Sequence, residues 1–384
     1  MYFCDATVGG IMEYAVWQAS ALAKAGVRVV FLCRPEFPHE RLSGIEVRSV
    51  LGLAQRLRSG GRLARSWRYL SDIRHNARCW ARVLAEHPDS CGLDACYREY
   101  FAPYWVGPLR RLAKQGRVLA TIAHDPIRDH VVGPRWWHHR CVAAGYSFVR
   151  DVFVHDETPI DVGTSRRKLR VTVIPHGPYP LPRPGKERAE IRAGLGLPAG
   201  ARVFLAFGHI RDNKNLDLFI KTMTGLPDDV YLLVAGSDGA QSQRSAAHYM
   251  ELAERLGVGS RCRWLVRHVS QVEAAECFAA SDYVLLTYSA SFHSASGVLN
   301  TAVAAERPVL ASSGAGPLRT LVQQYRLGEW VEPDSAAEVL RGARDLLARS
   351  DVADWAGYRA ASSWERNAEL VIGALWAEGD RIES

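Results

Sequence analysis

No apolar run in this 384-residue sequence approaches the roughly 18 residues that suggest a membrane-spanning helix. The N-terminus lacks a basic region followed by a signal-type apolar stretch. The eight cysteines, Cys4, Cys33, Cys79, Cys91, Cys96, Cys141, Cys262 and Cys277, form no CxxC pair. They read as reduced thiols filling cores, not as metal ligands or a disulfide framework. No short-period repeat is present, and no paired-aspartate metal motif or persuasive carboxylate pair. These absences point to a cytoplasmic, metal-independent protein. What remains is ordinary for a globular chain: 48% hydrophobic and 23% charged residues, with length enough for two domains.

The most informative stretch runs from Ser281 to Gly316. Two buried-type apolar runs, 283–286 and 309–311, bracket a small-residue loop and an apolar segment of helical length. That is a β-loop-α-β unit. The loop Ser294-Ala295-Ser296-Gly297 falls where the helix begins. Backbone N–H groups at the positive end of a helix dipole suit a phosphate.

Alternating strands and helices run along the rest of the chain. Residues 2–4 and 27–33 read as strands flanking a helix over 11–24, with Gly9-Gly10 at the first strand-to-helix turn. Further strands are expected at 117–123, ending in His124-Asp125, and at 152–155 and 170–175. The proline- and glycine-rich segment 176–185 reads as a linker. A second series follows, with strands at 203–207, 230–235 and 263–266 and a loop Gly208-His209-Ile210-Arg211-Asp212-Asn213-Lys214-Asn215 opening a helix at Leu216. The fold class is α/β, with two parallel sheets each covered on both faces. Ligands of such sheets bind beyond the carboxyl ends of strands, so two facing sheets would make a cleft.

In their order and spacing these landmarks resemble the retaining GT-B glycosyltransferases that use nucleotide-diphosphate sugars, the family 4-like group. They are Gly9-Gly10, His124, the sequence Ile174-Pro175-His176-Gly177, Gly208 through Lys214, Val234-Ala235-Gly236 and the 281–316 block. The resemblance implies two Rossmann-like domains facing across a cleft. The acceptor-side domain would span residues 1–177 and the donor-binding domain 178–363, with a helix at about 364–384 packing back on the first. It also implies a sugar donor as substrate, no cofactor, and no carboxylate nucleophile. The leaving phosphate would take the acceptor's proton in a front-face reaction.

The pattern departs from that group in the donor block. Two glutamates eight positions apart often hold the donor sugar and ribose there, and His293 and Thr301 stand in their places. His209 takes the position of a phosphate-loop arginine, Arg211 follows two residues on, and Lys214 matches the lysine. Departure of a diphosphate needs fixed cations and N–H dipoles aimed at the leaving oxygen. Lys214 and Arg211 are the candidate cations, with amides at Ser296, Gly297 and Val298. A lysine acts as a point charge, whereas an arginine grips two oxygens. Gly9 and Gly10 let backbone approach the ligand, and His124 orients the sugar or acceptor hydroxyl. Asp125 either holds the sugar ring or caps the next turn. Arg267, His268 and Glu273 are candidates on the nucleobase side. The donor-binding set is completed by His209, His293, Ser294 and Thr301. Each of these residues also has a plain structural explanation, as a turn, a cap or a solvated loop.

The net charge is +7, carried mainly by arginine. Between Arg56 and Arg82 lie Arg58, Arg62, Arg65, Arg68, Arg74 and Arg78, with Asp72 the one acid and Trp67, Tyr69 and Trp80 interleaved. Such a helix suits an anionic membrane surface or is a solvated helix face with its aromatics inward. No recognition motif accompanies the charge, so nucleic acid is not the expected partner. A second basic-aromatic cluster comprises Arg128, His130, Arg135, Trp136, Trp137, His138, His139 and Arg140. Together they would dock a lipid-pyrophosphate acceptor, or make an interdomain or oligomer contact. The expected function is sugar transfer to a glycan or lipid-linked acceptor in surface polysaccharide assembly, at the inner face of the membrane. The alternatives are a noncatalytic binding or scaffold protein and a sugar-nucleotide epimerase or hydrolase of similar fold.

Overall fold

The structure, a computed structural model, describes residues 1–53, 61–126, 131, 133–157, 159–165, 167–239, 243–350 and 352–376, with the side chains of Arg62 and Leu63 excepted. Of the basic residues above, Arg56, Arg58, Arg128 and His130 lie outside the described residues. The chain divides into two compact units, Met1–Pro175 with Ser363–Ser384, and His176–Ser362.

The first unit contains β1 (Tyr2–Phe3), β2 (Val30–Leu32), β3 (Glu46–Arg48), β4 (Gly92–Asp94), β5 (Leu119–Ile122), β6 (Asp151–Val154) and β7 (Arg170–Val173). They form a parallel sheet in the order 3-2-1-4-5-6-7. The second unit contains β8 (Arg202–Phe207), β9 (Val230–Ala235), β10 (Cys262–Leu265), β11 (Tyr283–Thr287), β12 (Val309–Ser312) and β13 (Gly328–Trp330). These form a parallel sheet in the order 10-9-8-11-12-13. Each order reverses once, between β1 and β4 and between β8 and β11. At such a reversal the following loops diverge and leave a crevice.

Both faces of the second sheet are covered, and the strand period of two shows how. Along β8, Val203 and Leu205 enter one core with Leu233, Phe278 and Val303, while Phe204 enters the other with Phe219, Leu232 and Leu310. The expected strand over 27–33 is shorter, at Val30–Leu32. Gly26 ends the preceding helix at φ +89°, and the Val27 amide bonds back to Leu22 O at 3.1 Å. Val27 therefore belongs to a helix-terminating motif that a glycine in the left-handed region makes possible. The expected strand at 263–266 sits one residue earlier, at Cys262–Leu265. All eight cysteines are free thiols, six of them buried. Among the described residues no helix is long and apolar enough to cross a membrane.

The helix Trp364–Trp376 packs in the first unit against the helix Gly10–Lys24. Asn367, fully buried, receives a hydrogen bond from Gln18 Nε2 at 2.7 Å and donates to Tyr14 Oη at 2.9 Å and Pro175 O at 2.7 Å. Buried amides left unpaired cost about 1–3 kcal/mol each. Asn367→Ala should therefore destabilise the first unit by about 2–4 kcal/mol, measured by urea denaturation, with amide exchange rising first in this helix. A change below about 0.5 kcal/mol, the size of an ordinary surface substitution, would show that the triad is not what holds it.

Candidate functional site

In the second unit the loops after β8 and β11 flank the sheet's reversal. Gly208 follows β8 at φ +86°. The chain then makes a tight turn over Asp212–Lys214 and enters the helix Leu216–Thr222 through Asn215, itself at φ +51°. This turn sends the Lys214 side chain back over the strand end, where Nζ donates to Phe207 O at 2.6 Å. Among the described residues no carboxylate lies within ion-pair distance of Lys214. Burial, helped by the neighbouring Arg211 charge, pushes its ammonium down to about 7. Arg211 is exposed. His209 is also exposed, with Nδ1 3.0 Å from Ser237 Oγ.

The loop after β11 leads to the helix Gly297–Ala304. Ser296 caps it, its buried Oγ accepting from the Leu299 amide at 3.3 Å and lying 3.0 Å from Tyr288 Oη. The first N–H groups of a helix have no partner within it, which leaves the Gly297 and Val298 amides facing out of the helix end. Two contacts join the loops: the Ser289 amide donates to Asn213 O at 2.8 Å, and Thr287 Oγ1 to Lys214 O at 3.0 Å. The Lys214 loop is thereby bonded to residues 287–289, and Tyr288 between them reaches Ser296.

The two residues standing in the glutamate positions are both turned to backbone. His293 Nδ1 lies 2.7 Å from Ala315 O, and Thr301, buried in its helix, donates to Gly297 O at 3.2 Å. Neither reproduces a free carboxylate. On the nucleobase side the exposed Arg267 pairs with the half-buried Glu273 at 2.6 Å. Glu273 is also the reciprocal cap of the helix Gln271–Ala280, accepting from the Ser270 amide and hydroxyl. Arg267 and these bonds hold its carboxyl down at about 2. The structure therefore accounts for Glu273 as a helix cap, and it leaves His268 exposed beside the pair.

In the first unit Gly9 and Gly10 follow β1 at that sheet's reversal. Gly9 has φ +83°, a conformation that favours glycine. Gly10 has no such constraint, and a Cβ there would meet nothing within 4 Å among the described residues. His124 stands beyond β5, one strand from the reversal, with Nε2 2.9 Å from Ala95 O and Nδ1 3.2 Å from His155 Nε2. Asp125 beside it is exposed.

Four contributors were not picked out from sequence. Asp334, at φ +60°, accepts from Asn215 Nδ2 at 2.8 Å and from the Ala290 amide at 2.9 Å, clamping the two loops. The buried Asn300, on the capped helix, bonds Tyr358 Oη and lies 2.7 Å from His176 Nδ1. Tyr179 lies against Gly297, where a Cβ would be 3.4 Å from its ring. His155 is the partner of His124. An aspartate in a proline-flanked turn and a histidine at a strand end were the available signals.

Residues 187–363 match the family described as Glycosyl transferases group 1. The match covers nearly the whole of the second unit. A D-inositol 3-phosphate glycosyltransferase of Mycobacterium tuberculosis is 31% identical over 201 residues, a match covering 50% of this chain and 40% of that protein. The chain thus spans well under two thirds of this relative's length. Over the whole chain, a sucrose-phosphate synthase from Thermosynechococcus elongatus superposes with a TM-score of 0.70 at 19% identity, covering 98% of this chain and 97% of that one. The Anabaena protein Alr3699/HepE, solved with UDP and glucose, gives a TM-score of 0.71 at 16% identity, with 97% and 98% covered. The fold is that of the GT-B glycosyltransferases, two parallel-sheet Rossmann-like domains, as the sequence led us to expect.

The burial of Lys214 leads to a stability prediction. Unfolded, a lysine keeps its proton to about 10.4; folded, Lys214 releases it near 7. Between these values the unfolded chain binds more protons, so stability rises with pH. Lys214→Met should melt a few degrees higher than the parent at pH 6.5, with the gap closing by pH 10. An offset independent of pH would mean that the ammonium is not strained by its burial.

Proposed function

We propose that the protein is a glycosyltransferase that moves a hexosyl group from a nucleotide-diphosphate sugar to a glycan or lipid-linked acceptor, with retention, in surface polysaccharide assembly. The observation that carries this reading is Lys214: an amine buried beside Arg211 whose hydrogen bond goes to the Phe207 carbonyl and which has no carboxylate partner among the described residues, on a loop joined to the segment that precedes a capped helix N-terminus. That is a place prepared for an anion. A diphosphate arriving there would restore the lysine's charge and meet the Gly297 and Val298 amides. As the sugar bond breaks, charge grows on the leaving phosphate, and these fixed groups stabilise it without rearrangement. Arg211 supplies a second, forked cation. The likeness to a fold solved with UDP and glucose makes a UDP-hexose the first donor to try. No carboxylate nucleophile enters this scheme, and the departing phosphate takes the acceptor's proton.

A second reading is favoured by one observation. His293 and Thr301 both turn to backbone carbonyls where carboxylates would hold sugar and ribose, as expected for a binding protein that keeps the fold without the reaction.

A panel of nucleotide sugars, screened by thermal shift and by release of nucleoside diphosphate, separates the two. Transfer predicts a stabilising donor and its turnover, with Lys214→Ala lowering the rate by about 10²–10³ at unchanged fold. Binding without release, with acceptor candidates present, selects the scaffold reading. Unchanged turnover in Lys214→Ala would remove that residue from the mechanism.

The lipid-linked acceptor has its own support in the first unit. The helix Arg62–Glu86 turns Ile73, Ala77 and Trp80 to the core and leaves Arg65, Arg68, Arg74, Arg78 and Arg82 exposed, with Trp67 71% exposed. Trp136, on the helix Arg135–Tyr146, is 68% exposed. Each basic residue near an anionic bilayer contributes about 1 kcal/mol, and salt screens it. Binding to anionic vesicles should fall steeply with salt, be negligible on neutral vesicles, and weaken in the combined Arg65, Arg68 and Arg74→Gln variant. A protein that ignores anionic vesicles at low salt takes a soluble acceptor instead.

A further inference from the structure

Four neighbouring strands of the first sheet each place one member of a hydrogen-bonded row at their carboxyl ends. Ala95 O follows β4, His124 follows β5, His155 follows β6 and Ile174 O follows β7. The contacts run in that order: Ala95 O to His124 Nε2 at 2.9 Å, His124 Nδ1 to His155 Nε2 at 3.2 Å, and His155 Nδ1 to Ile174 O at 3.1 Å. The row is packed under Tyr14, whose ring centroid is 4.7 Å from that of His124 and 5.3 Å from that of His155.

The protons in this row can be counted. A carbonyl oxygen only accepts, so the two ring nitrogens facing carbonyls must each carry hydrogen. The two facing each other need one hydrogen between them. That makes three on two imidazoles, one more than two neutral rings hold. If both rings were neutral, one nitrogen lone pair would face an oxygen or another lone pair inside the protein. Burial and the adjacent His124 hold His155 down at about 3, so it is the neutral partner. Among the described residues, Tyr14 from the first helix packs on both rings, and Asp125 and Asp156 follow the two histidines in the chain. Burial pushes the Tyr14 hydroxyl further up, away from ionisation.

We propose that the His124–His155 pair carries one net positive charge, resident on His124, and that His155 is a positioning residue that fixes this imidazolium for a phosphoryl oxyanion bound at the edge of the first sheet. His155 accepts from His124 Nδ1–H through Nε2 and donates from Nδ1–H to Ile174 O. The ring is thereby held both in place and in its charged form. The charge count stands by itself. Its use on a phosphoryl group rests on the sugar-transfer reading above, with the anion on either the donor or a phosphorylated acceptor.

The test is histidine ¹⁵N NMR of the whole protein across pH, assigned with His124→Gln and His155→Phe. At pH 7.5 we expect one ring with both nitrogens protonated and one neutral ring carrying hydrogen on Nδ1. His155→Phe keeps a ring in the site but removes the acceptor. It should move the His124 titration down by at least about one unit, a tenfold change in proton affinity. Two neutral rings at pH 7.5, or an unmoved His124 titration in His155→Phe, would overturn the charge assignment whether or not sugar transfer is found. Inorganic pyrophosphate should raise the His124 titration point in the parent, and no response would overturn the anion role alone. A response to UDP puts the phosphoryl group on the donor, and one to glycerol phosphate puts it on the acceptor.

Discussion

Burial of a parallel sheet on both faces leaves its polar chemistry almost nowhere to go except the strand ends. In the second unit β8, β9, β11 and β12 send alternate side chains into two separate apolar cores, so no strand interior is free to carry a ligand. Everything reactive is displaced to the carboxyl edge, and most of it to the point where the strand order reverses. Lys214, the Ser294–Val298 segment, Gly9 and Gly10 all gather at such points, from two sheets built to one plan. His124 and His155 lie one and two strands further along.

What the sequence made legible follows from that constraint. Strands buried on both faces read as continuous apolar runs, and glycine, proline and small residues punctuate them. The α/β class, ten of the thirteen strands among the described residues and the start of the helix at Gly297 were therefore visible, while β3, β4 and β13, three residues each and carrying Glu46, Arg48, Asp94 and Glu329, were not. The failures are local. Residues 27–29 are as apolar as the strand they precede, yet Gly26 draws Val27 into the end of a helix. Apolar character alone does not separate a helix-terminating contact from the first residues of a strand.

The connections within the site were harder to see, because they join segments far apart in the chain. Asp334 reaches Asn215 across 119 residues, and Asn300 reaches His176 across 124. No spacing rule links such positions. Glu273 shows the opposite hazard. Its place in the resemblance suggested a nucleobase contact, while three residues earlier Ser270 already offered a reciprocal cap. The local explanation was present in the sequence, and it is the one whose hydrogen bonds the structure contains.

The buried triad of Tyr14, Gln18 and Asn367 has a consequence in time as well as in stability. Its members enter at opposite ends of the described chain, with the whole second unit between them. During synthesis the second unit can collapse around its own sheet while the first still waits for its closing helix. Until that helix emerges, Tyr14 and Gln18 lack their Asn367 partner and an apolar seam stays open to solvent. The first unit to be made is the last to be finished. The interval between those two events, set by the rate of translation, is when a nascent chain of this design is most exposed to aggregation.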